Sequence, residues 1–235
     1  MPSFCIVLPM YNEAANAERC IRRISAFLEE VDTRTGIIVV DDGSVDGTTG
    51  SLAQAQAELP NVWVVSHPVN KGYGQANRTG LKRASAEGFE YAVVMDGDGT
   101  QDPREVAGFF ALMRDGVQVI KATRYAKGGR VEGVAFGRRA VSWLGNRLAM
   151  HMLRLPISDY TNGFRAIRTD IVHRLPCKES GFEMLLEEIH LARRIGATFA
   201  EVPYTLRVRG AGDSKSKFSY SWKVYRNYLK YLFKR

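Results

Sequence analysis

The sequence predicts an α/β domain built on a mostly parallel central sheet flanked by helices. Three observations predict it. Short apolar runs rich in Val and Ile alternate along the chain with segments of helical periodicity. Polar and acidic clusters fall directly after those runs, where open α/β sheets bind their ligands. No internal repeat, low-complexity stretch or second-domain signature interrupts the pattern, and 235 residues suit one sizeable domain.

SFCIVLP (3–9) reads as the first strand. Residues 13–30 read as a helix with Ala17, Cys20, Ile21, Ile24 and Leu28 on one face. GIIVVDD (36–42) is a second strand, 48–59 a helix, NVWVVSH (61–67) a third strand and 74–88 a helix. EYAVVMD (90–96) is a fourth strand, 103–114 a helix capped by Asp102, and VQVIKATR (117–124) a further strand. KGGRVEG (127–133) is expected to be a mobile loop because it is Gly-rich. Residues 138–155 read as an amphipathic helix with Val141, Leu144, Leu148, Met152 and Leu155 along one stripe. DYTNGFRAI (159–167) is polar with embedded aromatics, 182–195 is a helix, and AEVPYTLRVR (200–209) is a strand that Pro203 assigns to a sheet edge.

Asp96 and Asp98 follow the fourth strand one residue apart. Carboxylates this close repel unless a cation lies between them. A hard divalent ion, Mg²⁺ or Mn²⁺, takes one or two protein carboxylates and completes its shell with water and substrate phosphates. Gly97 between them would admit the ligand. The same letters, MDGDGT, also match the first motif of haloacid dehalogenase-type phosphatases, although such a motif ends a first strand and here it ends the fourth. Asp41 and Asp42 could accept hydrogen bonds from a ribose or base; turn chemistry alone accounts for Gly43 to Gly47 but not for two adjacent acids. Gly72 and Gly74 could permit a tight turn or a close ligand, and the sequence does not decide between them.

Four motifs occur in order: PMYNE (9–13), VVDDGSVDGT (39–48), NKGYGQANRTG (70–80) and MDGDG (95–99). Together they resemble the inverting GT-A-fold glycosyltransferases of family 2. TRYAKGGRVEG (123–133), Arg138, DYTNGFRAI (159–167) and the segment 181–215 are similar to the dolichol-phosphate mannosyltransferase group of polyprenyl-phosphate glycosyltransferases. The resemblance implies a GT-A (Rossmann-like nucleotide-diphospho-sugar transferase) fold over 1–206. It implies transfer of one hexose, with inversion, from GDP-mannose or a UDP-hexose to a polyprenyl or dolichyl phosphate. Pro9, Tyr11 and Glu13, with Val40, Asp41 and Asp42, would line the nucleotide pocket. Asp96 and Asp98 would hold Mg²⁺ or Mn²⁺ and the diphosphate, with Gly97 against the nucleotide. Arg124 and Arg138 would face the acceptor phosphate or the sugar, and Arg209 and Lys215 would close over the donor diphosphate. One departure is visible: these enzymes often carry Gln two residues after the second Asp, where this chain has Thr100 followed by Gln101. The alternative activity is transfer to a hydroxyl of a glycan or lipid, which would need a general base.

Charge is unevenly placed. Residues 207–235 hold nine Lys or Arg and one acid, so this segment accounts for the whole net charge of +8. If helical, it sets Tyr225, Tyr228 or Leu229, Leu232 and Phe233 near one face and Lys or Arg largely on others, which suits a membrane surface or a separate membrane subunit. Packing on the body is the competing reading, and nucleic acid is not expected as a partner. No signal peptide or membrane-spanning run is evident, so the expected location is cytoplasmic, peripheral at the cytoplasmic face of a membrane. Cys5, Cys20 and Cys177 are odd in number and widely spaced, and are expected to be buried reduced thiols.

Overall fold

A computed structural model describes residues 1–134, 136–207 and 230–231, the side chains of 136 and 138 excepted. Strands β1 (Phe4–Met10), β2 (Thr35–Asp41), β3 (Val62–Ser66), β4 (Tyr91–Val94), β5 (Val119–Thr123), β7 (Arg165–Arg168) and β8 (Phe199–Pro203) form one sheet in the order β3-β2-β1-β4-β7-β5-β8. All neighbours are parallel except β7, which runs antiparallel between β4 and β5. β6 (Arg130–Val131) and β9 (Thr205–Leu206) form a separate two-stranded parallel ribbon.

Period-2 alternation splits the sheet into two buried faces. Phe4, Ile6, Leu8, Ile37, Val39, Tyr91 and Val93 point to one side. There they meet Ile21, Ile24 and Leu28 of α1 (Ala17–Glu29), Leu52 of α2 (Thr48–Glu58) and Met113 of α4 (Phe110–Arg114). Cys5, Val7, Ile38, Val40, Ala92 and Val94 point to the other. They pack on Ala76, Leu81 and Ala84 of α3 (Tyr73–Ala86) and on Met184 and Ala192 of α6 (Met184–Arg194). α5 (Phe136–Leu153) sits over a smaller third cluster with Tyr160, Leu186 and Ile189.

The structure corrects the sequence reading at four places. The polar segment after Asp159 contains β7, which the reading lacked. The helix at 103–114 is a 3₁₀ segment, Pro103–Phe109, followed by one short α-turn, with Asp102 capping it through the Arg104 amide at 3.1 Å. The Gly-rich loop holds β6. The strand assigned to 200–209 divides after Pro203: β8 is the sheet edge, as Pro203 implied, and Thr205–Leu206 leave it to join β6.

The glycines opening α3 serve close backbone approach. A Cβ on Gly74 would lie 2.3 Å from the Glu179 carbonyl oxygen and 3.0 Å from that of Gly181, and the Gly74 amide donates to Ser180 O at 2.6 Å. That amide, at a helix N-terminus, is therefore spent on protein. Gly74→Ala is expected to destabilise the fold by about 1–3 kcal/mol through overpacking. Gly50→Ala, in α2 with nothing within 4 Å of the added carbon, should instead stabilise by about 0.4–1 kcal/mol. Denaturant titration of both variants checks the pair.

Candidate active site

The loops after β1, β2, β4 and β5 leave the same edge of the sheet, and the antiparallel β7 enters from it. This edge gathers the polar clusters that the sequence placed at strand ends.

The first two loops are laced together. Asn12, in the left-handed region at φ 51°, accepts from the Val45 amide at 2.9 Å and donates its own amide to Ser44 Oγ at 3.0 Å. Asp46 accepts from the Ala14 amide at 3.1 Å, and Thr48 Oγ1 accepts from the Glu13 amide at 2.9 Å. Pro9, Tyr11 and Glu13 are half-buried along this bracket. The roles of Asn12 and Asp46 were not read from the sequence, where GSVDGT looked like a turn alone.

Asp41 and Asp42 have structural work that the sequence reading did not give them. Asp41 accepts from the Ser44 amide at 3.0 Å and from Thr49 Oγ1 at 2.6 Å. Asp42 accepts from the amides of Lys71 and Gly72 at 3.0 and 2.8 Å and lies 2.6 Å from His67 Nδ1. Both carboxylates are buried, so loop closure does use two adjacent acids. Val40 is fully buried against α3 and paired in the sheet on both sides, backbone included. A Cβ on Gly97 would meet Met10 Cγ at 2.7 Å, so packing on β1 also requires glycine there.

Asp96 and Asp98 stand just beyond β4, each held by a different neighbour. Gln101 clamps Asp96: its Nε2 donates to Oδ2 at 2.8 Å and its Oε1 accepts from the Asp96 amide at 2.9 Å. Tyr73, stacked on Phe182 at 4.4 Å, reaches Asp96 Oδ1 at 3.4 Å. Burial, and then the Asp96 charge, push the Tyr73 phenol up, keeping it a donor. Thr100 donates its hydroxyl and its amide to Asp98 Oδ1 at 2.7 and 3.0 Å. The shifted glutamine is thereby accounted for: Gln101 is buried on the first acid, and Thr100 orients the second. An all-oxygen donor pair at a strand end suits Mg²⁺ or Mn²⁺ shared with a diphosphate. Among the described residues no group of three or more His, Cys, Asp or Glu side chains could enclose a metal by itself. The phosphatase alternative needs a later acidic pair beside this one. Glu188 is instead paired with Arg165, and Glu187 accepts from the amides of Lys178 and Glu179 at 2.9 and 2.8 Å.

Arg124 follows β5 and is gripped by Asp159, with Nε to Oδ2 at 2.7 Å and Nη2 to Oδ1 at 2.8 Å. Burial opposes the Arg124 charge, but Asp159 outweighs it and the net direction is up. For Asp159 burial opposes ionisation, and Arg124 carries the carboxyl below its ordinary range. Arg138 lies in the first turn of α5, its side chain outside the described residues, as are Arg209 and Lys215 altogether. Two residues before Arg209, the Arg207 amide donates to Thr100 O at 3.3 Å and its guanidinium pairs with Asp102 at 2.6 Å. The chain leading to Arg209 is thus tied to the acidic loop.

Behind this edge lies a buried polar layer. Arg165 pairs with Glu188 at 2.5 and 2.8 Å and donates to Gly163 O at 2.8 Å. Lys121, opposite Arg165 in the β5–β7 register, donates its ammonium to Asn162 O. Burial, and then the Arg165 charge, bring the Lys121 pKa down to about 7. The unfolded chain keeps that proton to near 10.5 whereas the folded one releases it near 7. Between these limits the unfolded state holds more protons, so this group makes stability climb with pH. Lys121→Met should flatten the climb from pH 7 to 10 in urea titrations; equal slopes in the two proteins would contradict it.

The three thiols are free, with Cys5 buried and Cys20 and Cys177 only half-buried. Burial and then the Asp98 charge push Cys20 up to about 12, so the free thiol stays protonated at neutral pH. Of the basic C-terminal segment only Lys230 and Tyr231 are described. Tyr231 is buried in the third cluster, and both donate to Glu179, at 2.8 and 2.6 Å. Packing on the body is what these two residues do; the remainder of the predicted membrane-surface helix lies outside the described residues.

Sheet order and site together define a GT-A-type glycosyltransferase. The family model "Glycosyl transferase family 2" matches residues 5–175, and the chain belongs to that family. It is 32% identical over 228 residues to a dolichol-phosphate mannosyltransferase of Pyrococcus furiosus, covering 94% of this chain and 62% of that one. It is 29% identical over 212 residues to an undecaprenyl-phosphate mannosyltransferase of Micrococcus luteus, covering 89% and 85%. It is 30% identical over 215 residues to a polyprenol monophosphomannose synthase of Mycolicibacterium smegmatis, covering 89% and 79%. The chain therefore spans less than two thirds of the archaeal relative but most of the two bacterial ones. Among solved structures, glucosyl-3-phosphoglycerate synthase of Mycobacterium tuberculosis, with Mn²⁺, UDP-glucose and phosphoglyceric acid, superposes with a TM-score of 0.71 at 23% identity. That superposition covers 98% of this chain and 80% of the synthase, and it bears on the fold.

Proposed function

We propose that this protein transfers one hexose, with inversion, from a nucleotide-diphosphate sugar to a polyprenyl phosphate. The observation that carries the reading is the Asp96–Asp98 pair, fixed by Gln101 and Thr100 at the ligand-binding edge of a family 2 fold. The names of the mannosyltransferase relatives supply the acceptor class and favour mannose as the sugar.

In this reading Asp96 and Asp98 hold a divalent cation, Mg²⁺ or Mn²⁺, which when bound neutralises charge on the departing nucleotide diphosphate. The bracket of Pro9, Tyr11 and Glu13 lies beside the base and ribose. Arg209 and Lys215 bind the diphosphate from the segment that Arg207 anchors. Arg124, its guanidinium plane set by Asp159, and Arg138 bring the acceptor phosphate to the anomeric carbon. A phosphate monoester has a second pKa near 6 and is largely dianionic at neutral pH. It needs no general base, whereas a hydroxyl acceptor would. The Gln-x-x-Arg-Trp motif of processive sugar-polymer synthases is absent from the chain, in keeping with a single transfer.

The site works at the cytoplasmic face of a membrane, reached peripherally or through a membrane subunit. Incubation with Mn²⁺, a polyprenyl phosphate and separately labelled GDP-mannose and UDP-hexoses tests this. Label should enter the organic phase from one donor and only with metal. Folded protein that labels a hydroxyl acceptor instead would overturn the acceptor assignment.

A further inference from the structure

Tyr73 opens α3 and ends on an acid of the site. Its hydroxyl donates to Asp96 Oδ1 at 3.4 Å. That end has no slack: a Cβ on Gly163 would overlap the Tyr73 hydroxyl and crowd Asp96 Oδ1 at 3.3 Å. Gln101 holds the other carboxylate oxygen and the amide of the same residue, so a shift of the tyrosine ring bears on a clamped acid.

The ring of Tyr73 belongs to a second loop. Residues 179–182 meet the first two turns of α3 at three points. Phe182 stacks on Tyr73 at 4.4 Å and 17°, Ser180 O accepts from the Gly74 amide at 2.6 Å, and Glu179 O accepts from Arg78 Nη1 at 2.6 Å. Gly72 and Gly74 leave no space for a Cβ against this loop. Loop and helix start are therefore close-packed, and a displacement of one is transmitted to the other. Glu187 of α6 fixes the beginning of the loop through the amides of Lys178 and Glu179.

The Glu179 side chain receives two residues of the C-terminal segment. It accepts from the Tyr231 hydroxyl at 2.6 Å and from Lys230 Nζ at 2.8 Å. Burial, and then the bond to Glu179, push the Tyr231 phenol up, keeping it a donor. Lys230 is exposed, and an exposed ion pair contributes little. The buried Tyr231 is thus the residue that sets this carboxylate. Contacts run unbroken from Tyr231 through Glu179, Phe182 and Tyr73 to Asp96, and the transfer as described uses none of the first three.

We infer that Tyr231 and Tyr73 are positioning residues of one relay: Tyr231, seated on Glu179, fixes the 179–182 loop, and the loop, through Phe182 and Tyr73, sets Asp96 to receive the metal-bound nucleotide diphosphate. This inference rests on the proposed function in one respect, that Asp96 belongs to the donor site. It gives the C-terminal segment a part in donor binding, separate from any attachment. By linkage, whatever draws Tyr231 off Glu179 weakens the hold on the donor, and bound donor tightens the seat.

Calorimetry on the full chain reads the binding of GDP and of UDP in the presence of Mn²⁺, and the tighter of the two is used. Tyr73→Phe removes the hydroxyl at Asp96 and should weaken binding about fivefold. Tyr231→Phe, acting from a distance, should weaken it about threefold. The double variant should bind as Tyr73→Phe does, because residues of one contact chain are not additive. A loss of about fifteenfold, the product of the two, would mean independent structural effects and would overturn the relay. Glu179→Ala should match Tyr231→Phe, whereas Glu179→Gln, which keeps an acceptor for the phenol, should recover most of the loss; equal weakening by the two would remove Tyr231 as its cause. Lys230→Gln should leave binding unchanged. Hydrogen exchange at the Asp96 amide separates the relay from the function. In the ligand-free protein both Tyr→Phe variants should exchange it about threefold faster than wild type while the amides of β1 keep their rates. An Asp96 amide indifferent to Tyr231→Phe would overturn the proposal. Faster exchange in variants of a protein that binds neither nucleotide would sink the proposed function and leave the control of Asp96 standing.

Discussion

Asp98→Asn is expected to lower kcat by about a thousandfold or more at saturating Mn²⁺, with the protein still folded. The magnitude follows from the site's construction. A divalent cation held by the two acids would contribute several kcal/mol of charge stabilisation, and a thousandfold is about 4 kcal/mol. Asparagine keeps the size of aspartate and an oxygen to accept from Thr100, so orientation survives while the charge is lost. The two acids should also be unequal in stability. Asp96 is held from two sides by Gln101 and from a third by Tyr73, so Asp96→Asn would disturb the fold locally as well as the chemistry. Asp98, with the Thr100 hydroxyl and amide as its partners in the loop, should change activity with little change in melting temperature. Single-turnover rates with GDP-mannose, alongside thermal melts, check both halves. Metal-dependent turnover that survives Asp98→Asn would remove this residue from the metal site.

How far the sequence disclosed this arrangement can be judged residue by residue. The parallel strands were legible because runs such as CIVL and IIVV are apolar on both faces, as strands covered by helices on both sides must be. β7 was not, because it opens on an arginine. FRAI does alternate, with Phe164 and Ala166 on one face of the sheet and Ile167 on the other. The charge at 165 hid that period, since a fully buried arginine makes sense only once Glu188 is known to lie against it. Asp96 and Asp98 stood out because the helix cap at Asp102 leaves them unexplained, although Thr100 and Gln101 of the same loop prove to hold them. Asp41 and Asp42 looked equally distinctive, yet their partners sit at Thr49, His67, Lys71 and Gly72, too far along the chain for spacing to reveal. Periodicity found the α5 helix but not which side faces the core: of the stripe, Val141, Leu144 and Leu148 are exposed, whereas Met152 and Leu155, the latter beyond the helix end, pack on the third cluster. Only Asn146, a polar residue on the opposite side, marked the direction, and its partners Tyr160 and Thr161 come from a segment with no periodic signal.

Glu188→Ala is expected to be the most destabilising single change in the polar layer, costing about 3–5 kcal/mol. Arg165 is fully buried, and burial by itself opposes its charge; the Glu188 carboxylate outweighs that and holds the guanidinium protonated. Without Glu188 the Nε–H and one Nη2–H lose their acceptor, and the guanidinium is left as a buried charge without its carboxylate. Asp159 cannot replace the lost charge, because it is already bidentate to Arg124. The loss should extend to the site, since Arg165 also donates to Gly163 O, and Gly163 leaves no room for a side chain beside the Tyr73 hydroxyl and Asp96. Arg165→Met with Glu188→Leu removes both charges and keeps apolar volume, so it should cost much less than Glu188→Ala alone. Urea denaturation of the three variants gives the comparison. A double variant as unstable as Glu188→Ala would mean that the layer is held by shape and not by charge pairing. A double variant that recovers stability but not transfer would place Arg165 among the residues that position Tyr73 and Asp96.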